Sequence, residues 1–264
     1  MKRRSFVKNS LLTSTSITAM APMLSAADKA NKKPAHEFYE LRVYTLKDQK
    51  QQQLVQDYFE KAAIPALNKL GSKNVGVFTE LNPEGQTKLF VVIPFASGEH
   101  FLNAEDRLLA DAQYVRASQD YLNAPATDPA YTRIESSLLK SFDQMPRLEA
   151  PEKKSRIFEL RRYESASESA GKKKIQMFNE AEINVFKKVG LTPVFFGETI
   201  IGGLRPNLTY MITFDDMDEH DRNWKTFGSD PEWKRISSIP DYADAKIVSN
   251  ITRTFLQPAS FSQI

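Results

Sequence analysis

Cysteine is absent from the 264 residues, which excludes disulfides, thiolate nucleophiles, thiolate-bound metal and a lipidated N-terminal cysteine. Histidine is scarce: His36, His100 and His220 are the only three. No two stand at metal-ligand spacing and His-Glu-x-x-His does not occur, so no metal site is expected. The chain also lacks Gly-x-Ser-x-Gly, a phosphate loop and a dinucleotide fingerprint, so nucleophilic hydrolysis and nucleotide chemistry are disfavoured. No cofactor is required by any motif. Stability must come from core packing, which a chain that is 41% hydrophobic and 26% charged can supply as two domains.

An excess of positive charge is missing too, once its distribution is considered. The formal charge is +3, but residues 1–27 hold Lys2, Arg3, Arg4 and Lys8 and no acid. The rest carries 32 basic against 33 acidic side chains, so nucleic acid and anionic membrane are not expected partners. The basic start reads Lys2-Arg3-Arg4-Ser5-Phe6-Val7-Lys8, and a mild apolar stretch follows to Ala27. It is too short and too rich in Ser and Thr for a membrane span. The arginine pair Arg3-Arg4, the aromatic residue and the lysine resemble a twin-arginine export signal, with Ser25-Ala26-Ala27 offering small residues for cleavage near Ala27. That reading implies a periplasmic or secreted protein, the twin-arginine export machinery as a partner, folding before export, and no stable membrane insertion after cleavage.

Beyond a polar linker at 28–36, the chain repeats itself. Phe38-Tyr39-Glu40-Leu41-Arg42-Val43-Tyr44 recurs 119 residues later as Ile157-Phe158-Glu159-Leu160-Arg161-Arg162-Tyr163. The same offset sets Leu70-Gly71 on Val189-Gly190 and the 110–116 segment on 229–235. Each copy reads strand, helix, strand, strand, helix, strand. The first strand alternates with period two. The first helix of copy 1 has apolar residues spaced by three or four, stops at Gly71, and is interrupted by Pro65, which predicts a kink. In copy 2, Pro231 is expected at the first position of a helix behind a capping side chain. Expected boundaries are 37–143 and 156–257, with a linker at 144–155. The βαββαβ order is the ferredoxin-like arrangement, an α+β fold.

Tyr-Glu-Leu-Arg-x-Tyr at the start of a module, with Ser229-Asp230-Pro231-Glu232-Trp233 in its second helical region, resembles the NIPSNAP family of the dimeric α/β-barrel superfamily. Copy 1 departs from it, with Ala110-Asp111-Ala112-Gln113-Tyr114 at the latter place. The resemblance implies that the two tandem modules close an intrachain α/β barrel. It gives little chemistry, because fold is a poor guide to function. It implies a small-molecule-binding or interaction module without an assigned reaction, or alternatively a monooxygenase or isomerase acting on a small apolar or aromatic compound. It leaves homo-oligomers open.

Within that picture the first strands come nearest to naming a site. Tyr39, Leu41 and Val43 share one face, expected to meet helices. Glu40, Arg42 and Tyr44 share the other, as do Glu159, Arg161 and Tyr163 in copy 2. These six are expected in the barrel interior, where they could orient a carboxylate or carbonyl ligand; a buried pair that fixes sheet register is the structural alternative. Tyr114, Trp224 and Trp233 are candidates for a pocket mouth, although at helical spacing such residues also form core. His100 and His220 open the second helices, where a base, a haem ligand or a simple surface role would fit. The acidic run Asp215 to Asp221 lacks the spacing of a calcium loop and suits a helix N-terminus.

Overall fold

A computed structural model describes residues 35–264; the Arg3-Arg4 signal and most of the 28–36 linker lie outside the described residues. Eight strands are set by the alternating segments: β1 (Phe38–Leu46), β2 (Gly76–Glu80), β3 (Thr87–Phe95), β4 (Arg133–Ser141), β5 (Ile157–Glu164), β6 (Thr192–Ile201), β7 (Asn207–Phe214) and β8 (Asn250–Pro258). They form a closed antiparallel barrel in the order β1-β3-β2-β8-β5-β7-β6-β4. The first half of the chain supplies β4-β1-β3-β2 and the second β8-β5-β7-β6, so the seams are β2–β8 and β4–β6. Closure leaves no sheet edge unpaired. At the second seam Gly197 faces Ser141, and a Cβ there would come 2.8 Å from that of Leu139, so only glycine lets the strands approach so closely.

Helices cover the outer face of each half. In the first half these are α1 (Gln49–Tyr58), continued through a π-helical turn at Phe59–Ala63 into α2 (Ile64–Leu70), then α3 (Gly98–Leu102), α4 (Ala104–Leu109), α5 (Ala112–Ala117) and α6 (Gln119–Leu122). In the second they are α7 (Glu168–Met177), a π turn at Phe178–Glu182, α8 (Ile183–Lys188), α9 (Met217–Ser229), α10 (Pro231–Ser237) and α11 (Asp244–Ile247). The repeat is written into the helix ends. N-caps Asp48 and Ser167, Ser97 and Asp216, and Asp111 and Asp230 all stand 119 apart, each accepting from a backbone N–H two or three residues on. Gly71 and Gly190 end the first helices with φ of +99° and +81°, the left-handed conformation that favours glycine. Pro231 does follow the capping Asp230.

Three cores result. One lies under the helices of the first half, around Tyr44, Val55, Phe59 and Val91, and a second under those of the other half, around Phe178, Phe186, Phe196 and Tyr210. The third fills the barrel: Tyr39, Phe78, Phe90, Val92, Leu139, Phe158, Val194, Phe195, Met211 and Leu256. Tyr39 meets Phe195 at 5.1 Å and Phe78 meets Phe158 at 4.9 Å between ring centres, joining the halves across the interior. Burying each such ring contributes about 1.5–3 kcal/mol. The 144–155 connection is packed in place, with Leu148 entering the barrel core and its N–H donating to Glu37.

The strand faces are therefore the reverse of the expectation. Tyr39, Leu41 and Val43 point into the barrel, whereas Glu40, Arg42, Tyr44 and their counterparts Glu159, Arg161 and Tyr163 lie on the helix side. Both faces of a strand in a covered barrel are shielded from water, so alternation separates two faces without saying which is inside. The apolar set fills the closed interior. The charged set pairs with itself and with polar groups supplied by neighbouring strands and helices.

Candidate functional site

On β1, Glu40 and Arg42 are two residues apart on one face, and the pair is bidentate: Nε donates to Oε1 at 2.6 Å and Nη2 to Oε2 at 2.9 Å. Ser136 of β4, opposite Arg42 in register, also donates to Glu40 Oε1 at 2.8 Å. Glu40 is 5% exposed, so its charge needs these partners. Above the pair, between the sheet and the helices, lies a cavity of about 460 Å³, within the range that holds a small ligand. Its walls include Phe59, Ala63 and Leu67 from the first helix, Phe101, Ala104 and Leu108 from the second helical region, and Tyr58, Tyr114, Tyr121 and Tyr131.

The tyrosines form a network. Tyr58 and Tyr114 hydroxyls are 2.9 Å apart and Tyr44 and Tyr121 3.0 Å apart. The Tyr58 and Tyr121 rings stack at 3.8 Å. Burial first, and neighbouring phenols after it, hold Tyr58 and Tyr121 well above the ordinary phenol range. Burial also raises Tyr44, against the pull of Arg42. Burial pulls the Arg42 guanidinium down, and Glu40, with Tyr44 and Tyr58, more than restores it, leaving it above its ordinary value. Two bonded phenol pairs have two hydroxyl hydrogens to spare, and the Arg42 guanidinium acts on the Tyr44 phenol as well as on Glu40. The floor of the cavity is rich in hydrogen-bond donors.

The second module has the same strand residues and a different filling. Glu159 is fully buried and accepts from Arg161 Nη1 at 3.0 Å and from Trp224 Nε1 at 2.9 Å. His220 Nε2 lies 3.4 Å from the same carboxylate. The Trp224 ring covers Arg161, whose guanidinium carbon is 4.4 Å from the ring centre. Trp233 packs on Phe227 at 4.4 Å. Buried Lys174 donates to buried Glu182 at 3.0 Å. At the 119 offset, Glu182, Phe186, Trp224 and Phe227 become Ala63, Leu67, Glu105 and Leu108, all of which line the cavity of module 1. Smaller or outward-turned side chains at equivalent places open that cavity.

Of the expected site residues, Glu40, Arg42 and Tyr114 line the cavity, Tyr44 hydrogen-bonds to Tyr121 beside it, and Glu159, Arg161, Tyr163, Trp224 and Trp233 belong to the packed core of module 2. Both tryptophans are half-buried and pack against the module 2 core. His220 meets Glu159, but His100 stands outside the cavity in a shallow groove with Ser97, Glu99 and Arg107; cap register sets His220 opposite Phe101. Asp216 caps α9, and Glu219 Oε2 accepts from the N–H of Asp215, the residue before the cap, at 2.5 Å. Tyr58, Tyr121, Tyr131 and Ala63 were missed. Comparing side-chain size between the copies at the 119 offset exposes Ala63, and Tyr58 stands where copy 2 has Met177.

The NIPSNAP family model matches residues 39–140 and 158–263. Comparison with curated proteins finds no match. Among solved structures, the chain is similar to a monooxygenase-like protein of Fusobacterium nucleatum subsp. nucleatum at 11% identity, covering 85% of this chain and 93% of that one with a TM-score of 0.55. It is similar to an anthrone oxidase-like protein at 10% identity over 86% and 93%, with a TM-score of 0.51. An uncharacterized NIPSNAP-like domain protein from Burkholderia xenovorans is 21% identical and matches 40% of this chain and 88% of its own, with a TM-score of 0.36. The two longer matches share the fold at an identity that says nothing of the reaction.

Proposed function

The chain belongs to the NIPSNAP family, and from that premise we propose that it is an exported small-molecule-binding protein, with no assigned reaction, whose ligand occupies the module 1 cavity. One observation carries the reading: two copies of one module have the same Glu–Arg pair, and where Trp224 covers it in the second a cavity stands above it in the first. A protein that needed the pair for packing alone would have filled both. Each half is read as a ferredoxin-like module, supported by its sheet order β4-β1-β3-β2 or β8-β5-β7-β6 and by helices on one face. The barrel closes within one chain, so a second copy is not needed to complete it.

Export by the twin-arginine route to the periplasm is part of the proposal, and rests on Arg3-Arg4 and the small residues before Asp28. Native mass spectrometry and an absorption spectrum of the protein purified from the periplasm test the binding reading. One bound small molecule per chain is expected. Replacing Arg42→Met together with Glu40→Leu should keep the fold and lose that molecule. A ligand retained by the double variant, or bound at a stoichiometry of two, would sink the assignment to this cavity.

The enzyme reading has one observation in its favour, the set of tyrosines and an arginine with displaced proton affinities around the cavity. The monooxygenase-like neighbours add a shared fold to that. Turnover of the co-purified molecule, lost on Arg42→Met, would establish it.

A further inference from the structure

Trp224 shows what the Glu–Arg pair of this module can hold. Its indole N–H donates to Glu159 Oε2 at 2.9 Å, and its ring stands over Arg161 with the guanidinium carbon 4.4 Å from the ring centre. The pair thus takes two things from one group: a donor on the ring edge and an aromatic face. Module 1 keeps the pair at the same strand positions but supplies no ring. With the caps Ser97 and Asp216 fixing helix register, Trp224's place falls to Glu105, which is exposed at the cavity edge.

We infer that the module 1 cavity receives a planar aromatic molecule carrying an N–H or O–H donor, held by Glu40 and Arg42 as the chain holds its own indole in module 2. The inference rests on the cavity being a ligand site, and narrows what that ligand is. Glu40 Oε1 already accepts two bonds, from Arg42 and Ser136, whereas Oε2 accepts one. A carboxylate oxygen has room for a second, and Glu40 lines the cavity. Phe59, Phe101 and the stacked Tyr58 and Tyr121 give flat walls for a ring. The spare phenol hydroxyls suit acceptor substituents on the same ring. An anionic head group is disfavoured, because Glu40 neutralises Arg42 and Glu105 adds a negative charge at the edge. A neutral indole-type or phenol-type compound meets all of these terms; a carboxylate does not.

The test compares indole with 1-methylindole, which keeps the ring and lacks the donor, by titration calorimetry on the full chain. Indole should bind once per chain and about tenfold or more tighter than the methylated probe, the loss expected when a hydrogen bond to a buried charge is removed. Glu105→Trp should supply the missing ring internally and abolish binding of both probes while the circular dichroism spectrum is retained. If that variant does not fold, Leu67→Phe, which restores the module 2 side chain, takes its place. Equal affinity of the two probes, with both blocked by the variant, would overturn the donor inference and leave the cavity reading standing. No binding of either probe by the unmodified chain would overturn the donor inference, while a different molecule found bound in the cavity by mass spectrometry would preserve the broader reading.

Discussion

Arg42 and Arg161 occupy the same strand position and make different bonds. Arg42 closes both Nε and Nη2 on Glu40, whereas Arg161 gives Glu159 only Nη1 and lies under the Trp224 ring, its guanidinium carbon 4.4 Å from the centre. A second buried charge pair, Lys174 with Glu182, has no equivalent in module 1, where Val55 and Ala63 stand. Burial pulls the Lys174 ammonium down, and Glu182, with Tyr163 and Asp244, more than restores it, leaving it above its ordinary value. Removing one partner by Glu182→Leu should cost about 3–5 kcal/mol in urea unfolding, whereas Glu182→Leu with Lys174→Met should be nearly neutral. A double variant as unstable as the single one would mean that the pair also organises its surroundings.

The tyrosines make a prediction at the same scale. Burial raises the proton affinity of Tyr44, Tyr58, Tyr121 and Tyr210 in the folded chain. Below about pH 10, the unfolded phenol value, both states keep the proton and the contribution to stability is whole. As pH rises further the unfolded chain releases protons that the folded chain retains, so stability falls. In an alkaline titration the phenolate absorbance of these residues should appear together with the loss of circular dichroism. Full phenolate absorbance with the fold intact would contradict their burial.

The two π turns carry the lesson at the scale of elements. Pro65 reads as a helix breaker, and the first helix does depart from α geometry just before it, at Phe59–Ala63. Yet Phe178–Glu182 makes the same turn where the residue matching Pro65 is Asn184. Proline is therefore accommodated by a turn that both copies possess; it does not create it. The Ile64 N–H already reaches back five residues to Phe59, so the missing N–H of Pro65 breaks little. Pro65→Ala should change unfolding free energy by no more than about 1 kcal/mol, and a loss of 3 kcal/mol or more, the scale of a helix-interior proline effect, would refute the account.

The order of strands and helices within each copy, the stop at Gly71 and the cap before Pro231 were legible because each depends on a local rule. The facing of β1 was not. Tyr39 and Tyr44 lie on opposite faces and both are fully buried, so the burial that distinguishes inside from outside in a half-exposed strand is lost. The cavity was hidden for another reason. It opens where Ala63, Leu67, Glu105 and Leu108 are smaller than their counterparts, a difference that only the other copy reveals.

At the scale of the molecule, a single chain performs the closure that two copies of a module would otherwise share, and duplication frees one half to change while the other stays packed. The described residues form one compact unit, and no helix among them is long and apolar enough to cross a membrane. Arg3→Lys with Arg4→Lys should leave folded, uncleaved precursor in the cytoplasm in a fractionation experiment, and unimpaired export of that variant would show that the segment has another role.

Amide NMR of the full chain titrated with indole distinguishes a ligand site in module 1 alone from one shared by both modules. Shifts are predicted at Ala63, Leu67, Ala104 and Tyr121, with Glu182, Phe186 and the Trp224 indole N–H unmoved. Shifts shared equally by the two modules, or centred on Tyr39, Phe158 and Phe195 inside the barrel, would contradict a site in module 1 alone.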